Sequence, residues 1–140
     1  MPSINGISHL DLTVTDLEAS LDWYRELLGT VPLFGAREDD LHLDVRYVME
    51  PNSGVILGLR QHDANDGSPF DERRVGLDHV AFNVESSEEM DAWLSRLDEL
   101  KIDHSGITVE EPWDVLVFRD PDNIQLELFY LKFVPPTESD

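Results

Sequence analysis

The sequence contains no cysteine. Disulfides, thiolate zinc sites and a cysteine nucleophile are therefore excluded. Lysine is nearly absent as well, with only Lys101 and Lys132. No run of about 18 or more apolar residues occurs, so no segment reads as a transmembrane helix. The opening residues, Met1-Pro2-Ser3-Ile4-Asn5, offer neither a charged n-region nor an apolar h-region. No signal peptide is expected, and a cytoplasmic location is. A phosphate-cradling glycine loop, a serine nucleophile elbow and a dinucleotide fingerprint are also missing. Basic charge is scarce: 10 Lys and Arg stand against 30 Asp and Glu, a net charge of −20. Such a surface repels nucleic-acid phosphates and anionic lipids, so neither nucleic acid nor a membrane is an expected partner. The acid reads first as a solubilising surface and second as an adaptation to high salt.

What is present is enough for a globular fold. The 140 residues are 41% hydrophobic, which suits one domain or two small modules sharing a core. A repeat runs through them. Gly6-Ile7-Ser8-His9-Leu10-Asp11-Leu12-Thr13-Val14 lies over Gly76-Leu77-Asp78-His79-Val80-Ala81-Phe82-Asn83-Val84, a shift from residue 6 to residue 76. Trp23 then lies over Trp93, and Leu27 over Leu97. With three tryptophans in the chain, a matched pair is a strong sign of duplication.

Each half reads alike. Ile7–Val14 and Leu77–Val84 alternate as strands do. Thr15-Asp16-Leu17-Glu18 and Ser86-Ser87-Glu88-Glu89 have the form of capping boxes and predict a helix after each. Leu17, Leu21, Tyr24 and Leu28 share one helical face, as do Met90, Trp93, Leu94, Leu97 and Leu100. Gly29 is placed to stop the first helix in a left-handed conformation. Strands are expected from Leu41 to Met49, over Val55–Leu59, over Asp114–Arg119 and over Ile124–Tyr130, with turns at Pro51–Gly54 and Asp120–Asn123. The expected organisation is one domain over 1–140. Module one spans 4–60 and module two spans 75–134. A linker at 61–74 joins them, and a frayed tail follows at 135–140. The order is β-α-β-β-β twice, an α+β fold of tandem βαβββ modules whose curved mixed sheets form a cup with helices outside.

Three side chains stand out as candidate metal ligands. His9 and His79 hold equal positions on the first strand of each repeat. Glu127 is an acid among apolar neighbours in Ile124-Gln125-Leu126-Glu127-Leu128-Phe129. A carboxylate there needs a counter-charge or a metal. Two imidazoles and one carboxylate suit a divalent cation such as zinc, iron, manganese or nickel. Taken singly, each position reads more readily as an ordinary hydrogen-bonded residue. The symmetry of the pair argues for convergence. Gly58, Tyr47, Phe34, Trp113 and Phe118 are candidate pocket residues, although aromatics are more often plain core. His42, His62 and His104 lie beside acids or turns and read as solvated. Arg60, Arg73 and Arg74 suit an anionic substrate in charge but read more readily as solvated linker residues.

The stretch Gly6–Val14 with its following helix to Gly29, the segment Leu77–Phe82, and above all Asp120-Pro121-Asp122-Asn123-Ile124-Gln125-Leu126-Glu127-Leu128 resemble the vicinal oxygen chelate superfamily of glyoxalases, bleomycin-resistance proteins and dioxygenases. The resemblance covers nearly the whole chain. It implies paired βαβββ modules around a metal, with ligand roles for His9, His79 and Glu127. It also implies a homodimer. Lactoylglutathione lyases in that family use a fourth ligand, a Glu on the last strand of module one. Here Val55-Ile56-Leu57-Gly58-Leu59 lies over Ile124-Gln125-Leu126-Glu127-Leu128, so Gly58 stands at that place. A slip of one residue would bring Leu57 there, and Gln61 and His62 are weaker substitutes. The glyoxalase I reaction itself is therefore not expected, and Gly58 would widen the cup. The resemblance implies an enzyme that chelates a small oxygen-rich substrate through a divalent ion, of isomerase or lyase, epoxide-opening or dioxygenase type. The alternative it allows is a metal-free protein that sequesters a drug or metabolite, for which an acidic surface would suit a cationic ligand.

Overall fold

The computed structural model describes residues 1–132. Ten main elements follow one another: β1 (Leu10–Thr13), α1 (Leu17–Leu28), β2 (Val31–Glu38), β3 (Leu43–Met49), β4 (Ile56–His62), β5 (His79–Asn83), α2 (Ser87–Glu99), β6 (His104–Val109), β7 (Trp113–Arg119) and β8 (Gln125–Leu131). This is the β-α-β-β-β order read from the repeat, twice over. The chain forms two compact units, one over Met1–Ser68 and one beginning at Pro69. The expected frayed tail, 135–140, lies outside the described residues.

Each unit carries one four-stranded mixed sheet. The orders are β1-β4-β3-β2 and β5-β8-β7-β6. The first strand of each unit pairs in parallel with its last, and the remaining pairs are antiparallel. A parallel pair needs a long crossover, and the helix supplies it. Alternate residues then point to opposite faces. In unit one, Leu57 and Leu59 of β4 are buried, and Leu12 of β1 pairs with Leu59. They share a face with Gln61, whose side-chain carbonyl accepts from the Leu17 N–H at the start of α1 (2.7 Å). That face is the helix-covered core. In unit two, Leu116, Phe118, Leu126 and Leu128 form the matching core with Met90 and Leu97 of α2.

Several local expectations shift. Asp16, rather than Thr15, is the N-cap of α1, and its carboxylate accepts from the Ala19 N–H. Ser86 caps α2 as expected, by accepting from the Glu89 N–H. The buried face of α1 is Leu17, Ser20, Tyr24 and Leu27, so Leu21 and Leu28 sit to one side of it. Gly29 ends α1 at φ 67°, the left-handed stop expected of it. Leu41 is not in a strand: Asp39–Leu41 is a 3₁₀ turn, and Leu41 is exposed. β4 runs on to His62, so Arg60 is a strand residue and not a solvated linker residue.

The segment read as a linker is tied down near its end. The Phe70 N–H donates to the Asp122 carbonyl, and the Asn123 side chain donates back to the Phe70 carbonyl. Asp120 organises the turn from within, accepting from the N–H groups of Asp122 (2.9 Å) and Ile124 (2.8 Å). Asn123 sits at φ 69°, a conformation asparagine tolerates better than most residues. The Asp-Pro-Asp-Asn motif is thus a device that aims β8. Nearby, Arg119 grips Glu72 through two hydrogen bonds, of 2.7 and 3.1 Å.

That grip predicts a pH dependence. The Arg119 guanidinium holds the Glu72 carboxyl down at about 2. A lowered folded-state value stabilises the fold above the unfolded value of roughly 4.5, and the contribution fades as pH falls towards 2. Arg119→Ala should return the Glu72 titration, followed by carboxyl NMR, towards the ordinary glutamate range. It should also flatten the stability profile between those two pH values.

Candidate metal site

Strand register decides which side chains meet. On β8, Glu127 pairs with Ala81 of β5 on one side and with Val117 of β7 on the other. On β4, Gly58 pairs with Asp11 of β1 and with Tyr47 of β3. Gly58 is therefore the counterpart of Glu127, as the sequence overlay indicated. His79 opens β5, and His9 immediately precedes β1.

In unit two, the His79 Nε2 lies 3.6 Å from the Glu127 Oε2. Glu127 is largely buried, whereas His79 is half exposed. Each group is held by a second partner. The His79 Nδ1 bonds to the Asp78 carboxylate at 2.7 Å, and the Gln125 amide donates to the Glu127 Oε1 at 3.0 Å. The Asp78 bond, and after it the Glu127 charge, raise the His79 pKa against the opposing effect of burial.

Unit one repeats the imidazole arrangement with a different acid. The His9 Nδ1 bonds to the Ser8 hydroxyl at 2.9 Å, and its Nε2 lies 3.8 Å from the Asp11 Oδ1. The other carboxylate oxygen of Asp11, Oδ2, accepts from the Arg60 Nε at 2.6 Å and from the Tyr47 hydroxyl at 3.0 Å. The Arg60 Nη2 also donates to the Tyr47 oxygen, at 3.1 Å. Tyr47 meets the His9 ring edge-on, with centroids 5.7 Å apart, and Phe34 packs on Tyr47 at 4.7 Å.

The structure therefore brings His79 and Glu127 together within one unit and leaves His9 in the other. No three His, Asp or Glu side chains gather into one metal-binding group among the described residues. Of the pocket candidates, Tyr47 adjoins His9, and Phe34 packs on Tyr47. Trp113 stacks on Phe129 and shares the Glu127 face through the β7–β8 register. Phe118 does not line a site: it is buried in the core, on the opposite face from Val117 and Glu127. Gly58 does not widen a cavity either. A Cβ there would collide with the Asp11 Oδ1 and come within 2.8 Å of the Tyr47 ring, so that space is already filled.

Of the remaining histidines, His104 is only partly solvated. Its Nδ1 accepts from the Gly106 N–H, and its Nε2 bonds to Asp98 at 2.9 Å. Sequence reasoning passed over Asp11 and gave Arg60 no part beside His9. Their signal was reciprocal: where module two has Ala81 opposite Glu127, module one has Asp11 opposite Gly58.

Comparison with known proteins identifies the family. Residues 6–128 match the Glyoxalase/Bleomycin resistance protein/Dioxygenase superfamily. The chain belongs to that superfamily. Among solved structures, a glyoxylase/bleomycin resistance protein/dioxygenase domain from Frankia sp. EAN1pec superposes with a TM-score of 0.85 at 36% identity, over 92% of this chain and 93% of that one. The fosfomycin resistance protein FosX from Listeria monocytogenes, solved with Mn(II) and sulfate, shares the superfamily fold with a TM-score of 0.65 at 19% identity, over 91% and 93% of the two chains. Among curated proteins, the metallothiol transferase FosB of Shouchella clausii (strain KSM-K16) is 27% identical over 128 residues, covering 89% of this chain and 80% of that protein. The putative ring-cleaving dioxygenase MhqA of Bacillus subtilis (strain 168) is 23% identical over 126 residues. The chain spans 40% of the length of that dioxygenase.

The crowding at Gly58 makes a prediction. Gly58→Ala should destabilise the protein by about 1–3 kcal/mol, the range of overpacked interiors. The loss should shrink in an Asp11→Ala background, with a coupling of at least about 0.5 kcal/mol in a denaturant double-mutant cycle.

Proposed function

We propose that the chain is a metal-dependent enzyme acting on a small oxygen-rich substrate, with its divalent ion held by His79 and Glu127 of module two and by His9 of module one. The observation that carries this reading is the His79–Glu127 pair. Two donor atoms on one tetrahedral ion, each at about 2.1 Å, stand roughly 3.4 Å apart. The 3.6 Å between Nε2 and Oε2 is close to that and too long for a good hydrogen bond. Partners on the far side of each group fix its orientation, as they do for metal ligands generally. With its Nδ1 engaged by Asp78, His79 presents its Nε2. The Ser8 hydroxyl does the same for His9.

A bound divalent ion would supply Lewis acidity towards vicinal oxygens of the substrate. Asp78 and Ser8 set the imidazole orientations. Gln125 holds the Glu127 carboxylate, and Trp113 lies on the same sheet face as Glu127. The reaction is of isomerase or lyase, epoxide-opening or dioxygenase type. Gly58 at the fourth-ligand place argues against the glyoxalase I reaction. The metallothiol transferase relative favours a metal-dependent reading over the metal-free sequestering one.

Protein purified without chelators should carry roughly one equivalent of iron, manganese, zinc or nickel by elemental analysis, lost in His9→Ala, His79→Ala and Glu127→Ala. A content under about 0.1 equivalent, unchanged in His9→Ala, would reject the site. Thermal shift with Mn(II) and with bleomycin in parallel tests the sequestering alternative. Stabilisation by the cationic drug alone would favour that alternative. The active form is expected to be a homodimer, and light scattering showing a monomer at micromolar concentration would refute this.

A further inference from the structure

We propose that Arg119 is a positioning residue for the Glu127 carboxylate, acting through the Gln125 amide. The inference rests on Glu127 being a functional carboxylate, as proposed above, and every residue it uses lies in the second unit. Strand register sets it up. Arg119 of β7 pairs with Gln125 of β8, and Gln125 pairs with His79 of β5. The three form a row across the sheet. The next row on the same face, two residues along each strand, is Val117, Glu127 and Ala81. Gln125 is thus beside Arg119 in its own row and beside Glu127 along its own strand.

The hydrogen bonds run in one direction. The Arg119 Nη2 donates to the Gln125 Oε1 at 3.2 Å, and the Gln125 Nε2 donates to the Glu127 Oε1 at 3.0 Å. A guanidinium only donates, and an ionised carboxylate only accepts. An amide between them has one satisfied orientation, with its carbonyl towards Arg119 and its NH2 towards Glu127. Turned over, it would set donor against donor and acceptor against acceptor. Arg119 therefore selects the orientation of the amide. The amide in turn engages Oε1 of Glu127 and leaves Oε2 to face the His79 Nε2 at 3.6 Å. Arg119 is itself held on its far side. Its Nη1 donates to the Asn123 carbonyl at 3.0 Å, and Nη1 and Nη2 both reach Glu72. The fork thus has two separable uses: it pins the segment carrying Glu72, and it orders Gln125. A lysine has no planar fork and cannot reproduce both at once.

The test is the Glu127 carboxyl NMR signal of the full, metal-free chain at neutral pH, assigned by its loss in Glu127→Gln, with circular dichroism melts to verify folding. The variants are Arg119→Met, Arg119→Lys, Gln125→Met, Glu72→Ala and the double variant Arg119→Met/Gln125→Met. Arg119→Met and Gln125→Met should each displace the signal, and the double variant should displace it no further than Gln125→Met does, because both act on one chain of bonds. Arg119→Lys keeps a cation beside Glu72 and should still displace the signal. Glu72→Ala removes the pin alone and should leave the signal in place. The proposal is overturned if the Arg119 variants melt cooperatively with the signal unmoved. It is likewise overturned if Glu72→Ala moves the signal as far as Arg119→Met does, since the arginine would then act only by pinning the segment before β5. Mn(II) calorimetry on the same proteins reads the metal proposal separately. Arg119→Met should weaken Mn(II) binding by about 10-fold. A parent that binds no Mn(II) would reject the ion, and the carboxyl signal would still decide the role of Arg119.

Discussion

The first strand of each module runs parallel to its last, and that pairing governs everything at the candidate site. Parallel neighbours cannot be joined by a tight turn. The crossover helix between them has its own apolar stripe to bury, and it takes one face of the sheet. The other face is thereby left to polar chemistry. Leu12, Leu57 and Leu59 fall on the helix side, while Asp11, Gly58 and Arg60 alternate with them on the other. The same alternation in the second unit sends Leu126 and Leu128 to the core and Glu127 away from it. An acid inside an apolar run is thus a direct product of period-two geometry.

Much of this was legible in the residues. The duplication showed through His9 and His79 at the start of each unit's first strand and through Trp23 and Trp93 on the two helices. The superfamily motif at Asp120–Leu128 was legible because the turn needs Asp120 to gather two N–H groups and Asn123 to enter the left-handed region. β2 was not legible in detail. All its residues are exposed, so no inside–outside alternation marks it, and Pro32 and Gly35 disguise it further. The cap of α1 shifted by one residue because Asp16 and Thr15 both carry acceptors and only tertiary geometry chooses between them. Asp11 was missed because a repeat is read along the chain, whereas its meaning lies across two strands.

The charge balance shapes the rest. Seven cationic side chains, Arg25, Arg37, Arg60, Arg73, Arg96, Arg119 and Lys132, are engaged with acids. Arg37 alone reaches Asp39, Asp44 and Asp63. Exposed pairs of this kind contribute little each, about 0–1 kcal/mol. Their wider effect is that the few positive charges are spent locally, on turns and strand ends. Many of the other acids are exposed and produce a field that draws cations towards the surface.

The mutual exclusion of side chains at positions 11 and 58 also bears on how such a protein can change. Placing an acid at 58 while Asp11 remains drives two side chains into one volume. Removing Asp11 first leaves Arg60 and Tyr47 without their shared acceptor. Either route between the two arrangements passes through an impaired intermediate, so ordinary drift seldom crosses it. The two halves of this chain are therefore unequal in what they tolerate: positions 11 and 58 can change together far more readily than one at a time.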